Sequence, residues 1–454
     1  MKPVPRSLSG WGRFPRGDSV VSTPADRAGV ALAIGGAHHA AGLIARGLGR
    51  AYGDSAFVAG GMVLQTTRID RFRGFDPQSG LLDVEAGVSF AEIIATFLPR
   101  GWFLPTTPGT KYVTVGGAIA ADVHGKNHHR HGSIGMFVDR IDVCVADGTV
   151  VSCSRGENSD LFHATLGGMG LTGVIVAASF RLVRVETSRV TVDYRRTADL
   201  EETLTVFEAG DATSEHSVAW IDCMASGRAM GRSVVMQGRN TPLGELSPEA
   251  RRDPFGLPRK RAKSVPFTPP VGLLNSLSVR AFNEVFYAAH GNQRKVVDLD
   301  TFFYPLDSIR HWNRLYGPRG FIQYQAFFPR RTSLAGLREL LSCIVASGAA
   351  SFLAVLKSCG PADDGMLTFL EPGHTLALDI PYRQGVIERL CGRLDRILLE
   401  HGGRLYLAKD SLMDGATFRA MYPRLDEFLA VKRRYDPDGL FASSQSRRLG
   451  ITPI

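Results

Sequence analysis

Residues 105–135 read PTTPGTKYVTVGGAIAADVHGKNHHRHGSIG. Glycine stands at 109, 116, 117, 125, 132 and 135, and Ala118, Ala120 and Ala121 add almost no bulk. A backbone so free of side chains can lie close against a large planar or phosphorylated ligand, with N–H groups turned toward an anion. A dense polar group follows: Asp122, His124, Lys126, Asn127, His128, His129 and His131. Two small apolar runs, VTVGGAIAAD and VDRIDVCVAD, bracket it. A turn-rich surface loop with solvated histidines is the competing reading.

A second glycine-rich loop lies upstream, RGLGRAYGDSAF at 46–57, ahead of the strand-like GMVLQTT at 61–67. Its glycines and the basic Arg46 and Arg50 suit a diphosphate. Two such loops aimed at one anion are more specific than either alone.

The pair RGLGRAYGD and VTVGGAIAADVHGKNHH resembles the FAD-binding domain of the vanillyl-alcohol-oxidase/PCMH superfamily. Within it the chain resembles the decaprenylphosphoryl-β-D-ribose 2′-oxidases, the flavin halves of two-enzyme epimerases. AWIDC at 219–223, GFIQYQ at 320–325, LDIPY at 378–382, GGRLYLAKDS at 402–411 and FRAMYPRLDEF at 418–428 carry the likeness along the chain. The resemblance implies a two-domain α+β fold. A PCMH-type FAD-binding domain would span 1–187. A substrate-binding domain, an antiparallel sheet covered by helices, would span 188–403, and 404–454 would return to the first domain.

It also implies FAD contacts from Arg46, Gly47, Leu48, Gly49, Arg50, Ala51, Tyr52 and Gly53 in the first loop. In the second they would come from Thr110, Thr114, Gly116, Gly117, Ala121, His124, Gly125, Asn127 and His128. Gly168, Gly170 and Gly173 would let a third loop lie beside the flavin, and Tyr406 would pack on it or bond to it. Covalent members of the superfamily carry histidine at the fourth position of the first loop. Here that residue is Arg50 in GLGRAY. A guanidinium is no nucleophile at neutral pH, so dissociable FAD is expected.

Gly168, Gly170 and Gly173 also form a literal GxGxxG. A Rossmann fingerprint must follow a strand and open a helix. This one follows the helix-like SDLFHATL and runs into the strand-like GVIVAASFRLV, so that reading is rejected.

Among 454 residues, apolar content of 44% and charge of 21% are those of a globular protein, and the length suits two domains. The N-terminal run MKPVPRSLSGWGRFPRGD lacks the apolar core of a secretory signal, and no apolar run reaches membrane-spanning length. A cytoplasmic protein is expected, peripheral to the inner membrane if a lipid is the substrate. The six cysteines are scattered without a CxxC pair, which points to reduced thiols. The histidines lack the spacing and acidic or thiol partners of a zinc site, so no metal is expected. The net charge of +9 comes without a nucleic-acid motif, and an anionic substrate or membrane suits it better than DNA.

In chain order, 1–30 reads as an irregular lead-in and 31–45 as a short helix. Strands are expected at 61–66 and 80–85, a helix at 90–101 and a hairpin over 136–153 turning at Asp147-Gly148. Strands at 189–195 and 216–223 flank a helix near 199–209. Residues 238–275 read as a mobile, basic, proline-rich loop. Strands follow at 296–304 and 320–328, a helix at 333–347, strands at 351–357 and 374–380, and a helix at 384–400.

For the chemistry, the resemblance places His124 at the flavin edge and Lys126 near a substrate phosphate or hydroxyl. Lys409 in RLYLAKDS has apolar neighbours and is costly to bury unpaired, so it is paired or functional. By resemblance it lies beside the isoalloxazine. Gln323 and Gln325 alternate on one strand and share a face, and two amides together suit a sugar. Lys357 is a second phosphate candidate, Trp220 a wall, and Asp379 and Tyr304 weaker candidates for the substrate site. Mycobacterial members carry cysteine where this chain has Ala377, so covalent inhibitors that attack that thiol should lose their anchor. The resemblance implies oxidation at C2′ of a polyprenylphosphoryl-β-D-ribofuranose. A base drawn from Lys409, His124 or Tyr406 would take the hydroxyl proton. A separate NAD(P)H-dependent short-chain reductase would complete epimerisation. The alternatives are a soluble sugar-alcohol or aldonolactone oxidase on the same scaffold, or a flavin-free binding protein.

Overall fold

The computed structural model describes residues 3–37, 41–258, 263–270, 276–349, 351 and 353–453. Its helices and three larger sheets make the expected α+β architecture. The opening residues are not an irregular lead-in. Val4–Ser9 and Arg16–Ser22 pair antiparallel at the edge of a four-stranded sheet, which Met62–Gln65 and Leu43–Arg46 complete in parallel. Pro5 sits on the edge strand, where its missing N–H costs no ladder bond. The helix expected over 31–45 starts earlier, at Arg27–Gly35, because the Asp26 carboxylate accepts from Gly29 N at 2.7 Å. Residues 43–46 are strand, and 38–40 lie outside the described residues.

A five-stranded antiparallel sheet runs Phe72–Phe75, Leu81–Glu85, Val174–Arg181, Val138–Cys144 and Val150–Cys153. The last two form the expected hairpin, and Asp147 accepts from Thr149 N and Oγ1 at the turn. The helix Phe90–Phe97 opens on a capping box between Ser89 and Glu92 and stops before Pro99. The GxGxxG follows the helix Ser159–Thr165 and enters the strand Val174–Arg181, against the Rossmann arrangement.

The largest sheet has eight strands, ordered Gln293–Asp298, Arg189–Thr197, Ser233–Asn240, His216–Ile221, Ala354–Cys359, Gly373–Pro381, Phe321–Pro329 and Arg404–Leu405, all antiparallel. The two-residue alternation of strands divides its faces. Tyr324, Leu356, Leu376 and Leu378 join a core with Phe207, Leu340 and Leu394 from the helices Leu200–Asp211, Ser333–Ser347 and Ile387–Glu400. Burying each such side chain contributes about 1.5–3 kcal/mol. The intervening residues, among them Gln323, Gln325, Lys357 and Ala377, line a cavity.

Three expectations need correction here. The strand expected over 296–304 ends at Asp298, whose carboxylate accepts from Thr301 N and starts the helix Leu299–Phe303. The segment 238–275 begins inside the strand Ser233–Asn240 and contains short turns and the two-residue strand Lys263–Ser264, while 259–262 and 271–275 lie outside the described residues. A helix that was not foreseen follows, Ser276–Ala289. The strand expected at 351–357 runs Ala354–Cys359, with residue 352 outside the described ones.

After Leu405 the chain leaves the large sheet and returns to the first loop. Leu43 N donates to Leu440 O, Ser444 N to Phe57 O, and Gln445 Nε2 to Leu407 O at 2.7 Å. Arg448 joins Asp54 and Asp410 at 2.8 and 2.9 Å, all three largely buried.

Candidate functional site

The two glycine loops meet. A Cβ on Gly47 would stand 2.1 Å from Thr114 Oγ1, and one on Gly116 2.9 Å from Ala86 Cβ. Thr114 Oγ1 also accepts from Gly117 N and starts the short helix Val115–Ala120. These glycines therefore serve loop-to-loop packing, which brings both turns to one cavity of about 620 Å³. Gly170, with φ +76°, and Gly173 complete the wall from the third loop.

Leu48, Gly49, Arg50, Ala51, Tyr52, Thr110, Ala121, His124, Gly125 and Tyr406 line this cavity with the glycines above. So do Lys126, Trp220, Gln323, Gln325, Lys357, Ala377 and Lys409. The remaining expected residues stand behind the wall, each with a protein partner. Arg46 donates to Ser9 O and Ala56 O, and Gly53 packs against Asp410 O. Asn127 donates to Pro105 O and accepts from Thr106, and His128 Nδ1 accepts from Gly360 N. Gly168 abuts Ala164 O. Tyr304 bonds Thr107 Oγ1 at 2.8 Å, and Asp379 accepts from Gln323. These residues are engaged with backbone or with neighbouring side chains, so they shape the cavity without lining it.

Several liners were not anticipated. Trp11 lies in the stretch read as irregular, and the Arg50 guanidinium sits 4.1 Å over its ring. Phe282 and Phe286 come from the unforeseen helix Ser276–Ala289, where their i, i+4 spacing was a legible signal. Phe302, Phe303 and Met236 extend the apolar wall.

The polar end is a linked set. Lys357 Nζ lies 2.8 Å from His124 Nδ1, and Gln325 Nε2 lies 3.1 Å from His124 Nε2. Tyr406 OH donates to Ala121 O at 2.6 Å, and its ring stacks on Phe369. Lys409 Nζ lies 3.8 Å over the Tyr52 ring, and Lys126 bonds Phe302 O and faces the Phe302 ring at 4.3 Å. Burial and the neighbouring Lys357 bring Lys126 down to about 7, and burial brings Lys357 down to about 8. Lys409 is lowered by burial, against the pull of Asp379, and Asp379 is raised by burial in turn. His124 is driven well below its usual value by burial and by Lys357. The end of the cavity thus holds amines that lose their protons near neutral pH beside a neutral imidazole.

Arg50 Nε and Ser55 Oγ line the cavity, are buried, and have no hydrogen-bond partner among the described residues. Buried donors left unmatched cost about 1–3 kcal/mol each, and a ligand rich in acceptors would satisfy them. FAD fits that requirement: the first and second loops would hold it, with Arg50 toward its anionic groups.

Comparison with known proteins agrees. The family model of the FAD binding domain matches residues 19–154, and that of D-arabinono-1,4-lactone oxidase matches 328–449. A decaprenylphosphoryl-β-D-ribose oxidase of Mycolicibacterium smegmatis is 40% identical, over 98% of both chains. An uncharacterized protein from the mprA 5′ region of Streptomyces coelicolor is 33% identical, over 78% of this chain and 97% of its own. An L-gulono-1,4-lactone dehydrogenase of Mycobacterium tuberculosis is 23% identical, over 89% of each. The chain is an FAD-dependent oxidoreductase.

Proposed function

The chain belongs to the decaprenylphosphoryl-β-D-ribose oxidase family, and from that premise we propose that it oxidises the 2′-hydroxyl of a polyprenylphosphoryl-β-D-ribofuranose to the 2′-ketone. The observation that carries this reading is one cavity with two unlike kinds of lining. Gln323, Gln325, Lys357 and Lys409 supply donors and acceptors for a sugar, whereas Trp220, Phe282, Phe286 and Phe303 supply an apolar wall for what the sugar is attached to. A soluble aldonolactone or sugar-alcohol oxidase has no need of that wall.

FAD, when bound, would supply the hydride acceptor for the sugar carbon. The chain's own residues orient the sugar, exclude water and take the hydroxyl proton. Three groups compete for that last role. The Tyr406 hydroxyl is spent on Ala121 O, and burial pushes its pKa well up, so it stays a phenol. Both His124 nitrogens are engaged. Among the described residues Lys409 has no side-chain bond of that kind, and burial favours its amine form, so we assign it the proton. Lys126 serves the phosphate. FAD is held without a covalent bond, because Arg50 stands where a histidine would be needed.

The division into an FAD-binding unit over 1–187 and 404–454 and a substrate unit over 188–403 belongs to the same proposal. The bonds from 440–448 to 43–57 support it. A lipid substrate also calls for contact with a membrane surface. Among the described residues no helix is long and apolar enough to cross one. Val285, on the helix that carries Phe282 and Phe286, is 69% exposed and Phe267 is 68% exposed, and both suit a peripheral contact. The ketone product needs a separate hydride donor, an NAD(P)H-dependent short-chain reductase, to complete epimerisation.

Anaerobic mixing with polyprenylphosphoryl ribose tests the assignment. Bleaching of the flavin band is expected, and bleaching by free polyols alone would replace the lipid reading with the soluble one. Lys409→Ala should retain FAD and lose about 10²–10⁴-fold in bleaching rate; an unchanged rate would remove Lys409 from the proton step.

A further inference from the structure

His124 lies between two partners, and the hydrogen bonds beyond them decide where its proton sits. Thr375 Oγ1 lies 2.8 Å from Ala326 O, a carbonyl that can only accept, so the hydroxyl's single proton is committed there. The Thr375 oxygen is then left to accept, and Gln325 Nε2 lies 3.3 Å from it. That fixes the amide with its NH₂ toward Thr375, and the same NH₂ faces His124 Nε2 at 3.1 Å. Nε2 must therefore accept, and a neutral imidazole then carries its proton on Nδ1. Nδ1 faces Lys357 Nζ at 2.8 Å, and two donors cannot share that contact.

We propose that Thr375 and Gln325 are positioning residues that keep the His124 proton on Nδ1 and thereby hold Lys357 in the cavity as a neutral amine. The amine's lone pair accepts from His124, which leaves two N–H donors for a ligand. Lys357 then contacts a sugar hydroxyl and is not the phosphate anchor that its charge in isolation suggests. This assignment of its contact rests on the sugar-lipid reading; the proton placement does not. Other groups facing the pair act in the same direction or weakly. Lys409 and His128 disfavour charge on His124, Lys126 lies close enough to Lys357 for each to oppose the other's charge, and Cys359, on the same strand, favours the ammonium. The Tyr406 ring packs 5.3 Å from the imidazole. Burial of Lys357 favours the amine as well.

The test uses FAD-loaded protein with ring-¹⁵N histidine, the His124 signals assigned by their loss in His124→Gln. The wild type should show protonated Nδ1 and unprotonated Nε2 near neutral pH. Thr375→Val keeps the shape but removes the acceptor, freeing the Gln325 amide to turn. The Nε2–H form should then appear, and the titration of Lys357 felt at His124 should move up by about one pH unit. Thr375→Ser should restore the wild-type pattern. Gln325→Glu supplies a second route to Nε2–H, because a carboxylate can only accept. An Nε2–H tautomer in the wild type, or a Thr375→Val spectrum identical to it, overturns the proposal. Loss of lipid turnover with this spectrum intact would count against the substrate reading alone.

Discussion

Lys126 shows how burial writes itself into pH dependence. Its pKa is about 7 in the fold and near 10.5 in a free side chain. Between those values the unfolded chain holds a proton that the folded chain lacks, so this residue makes stability rise with pH across the window. Below about 7 both states hold it, and the burden of a buried cation is complete. Lys126→Met should therefore flatten the rise in Tm between about pH 7 and about pH 9, measured against the wild type without substrate. Catalysis has a related signature: if Lys409 acts as its amine, kcat rises with pH through the pKa that burial has lowered, and Lys409→Met abolishes that limb. At Arg50 the prediction concerns affinity. Its buried Nε lacks a protein partner, so Arg50→Met should weaken FAD by about 10–100-fold, read by fluorescence titration of apoprotein. These residues were legible from types and motif alone. What was not legible was which of them face the cavity: Asn127 and His128 sit in the same loop as His124 and are spent on Pro105 and Gly360.

At the scale of elements, the glycines of the first two loops answer to each other before they answer to a ligand. Gly47→Ala would drive a methyl into Thr114 Oγ1 and push the loops apart. The expected result is a folded protein by circular dichroism that no longer retains FAD on gel filtration. Helices and strands of the large sheet were readable from periodicity, the helix Ser333–Ser347 to the residue. Leu340 on its buried face should cost about 2–5 kcal/mol when cut to alanine, measured by denaturant unfolding. Periodicity failed where a side chain competes with the backbone. Asp298 and Asp26 each start a helix by accepting an N–H, and apolar patterning contains no term for that. It also failed for Val4–Ser9, a short exposed edge strand with no buried stripe to announce it.

For the whole molecule, the architecture was legible because family motifs recur along the chain, whereas the join between its parts was not. Nothing in the pattern of 436–454 announces that Arg448 will reach both Asp54 and Asp410. That arrangement gives the protein a temporal property. Gln445 and Arg448 pin the turn that carries Lys409 to the loop that carries Arg50, so the cofactor's cradle joins segments 394 residues apart in the chain. The ribosome must have passed Arg448 before the nucleotide can be gripped. Flavin loading therefore waits on Gln445 and Arg448, and a nascent chain arrested short of Ser443 should emerge colourless however well its central sheet has formed.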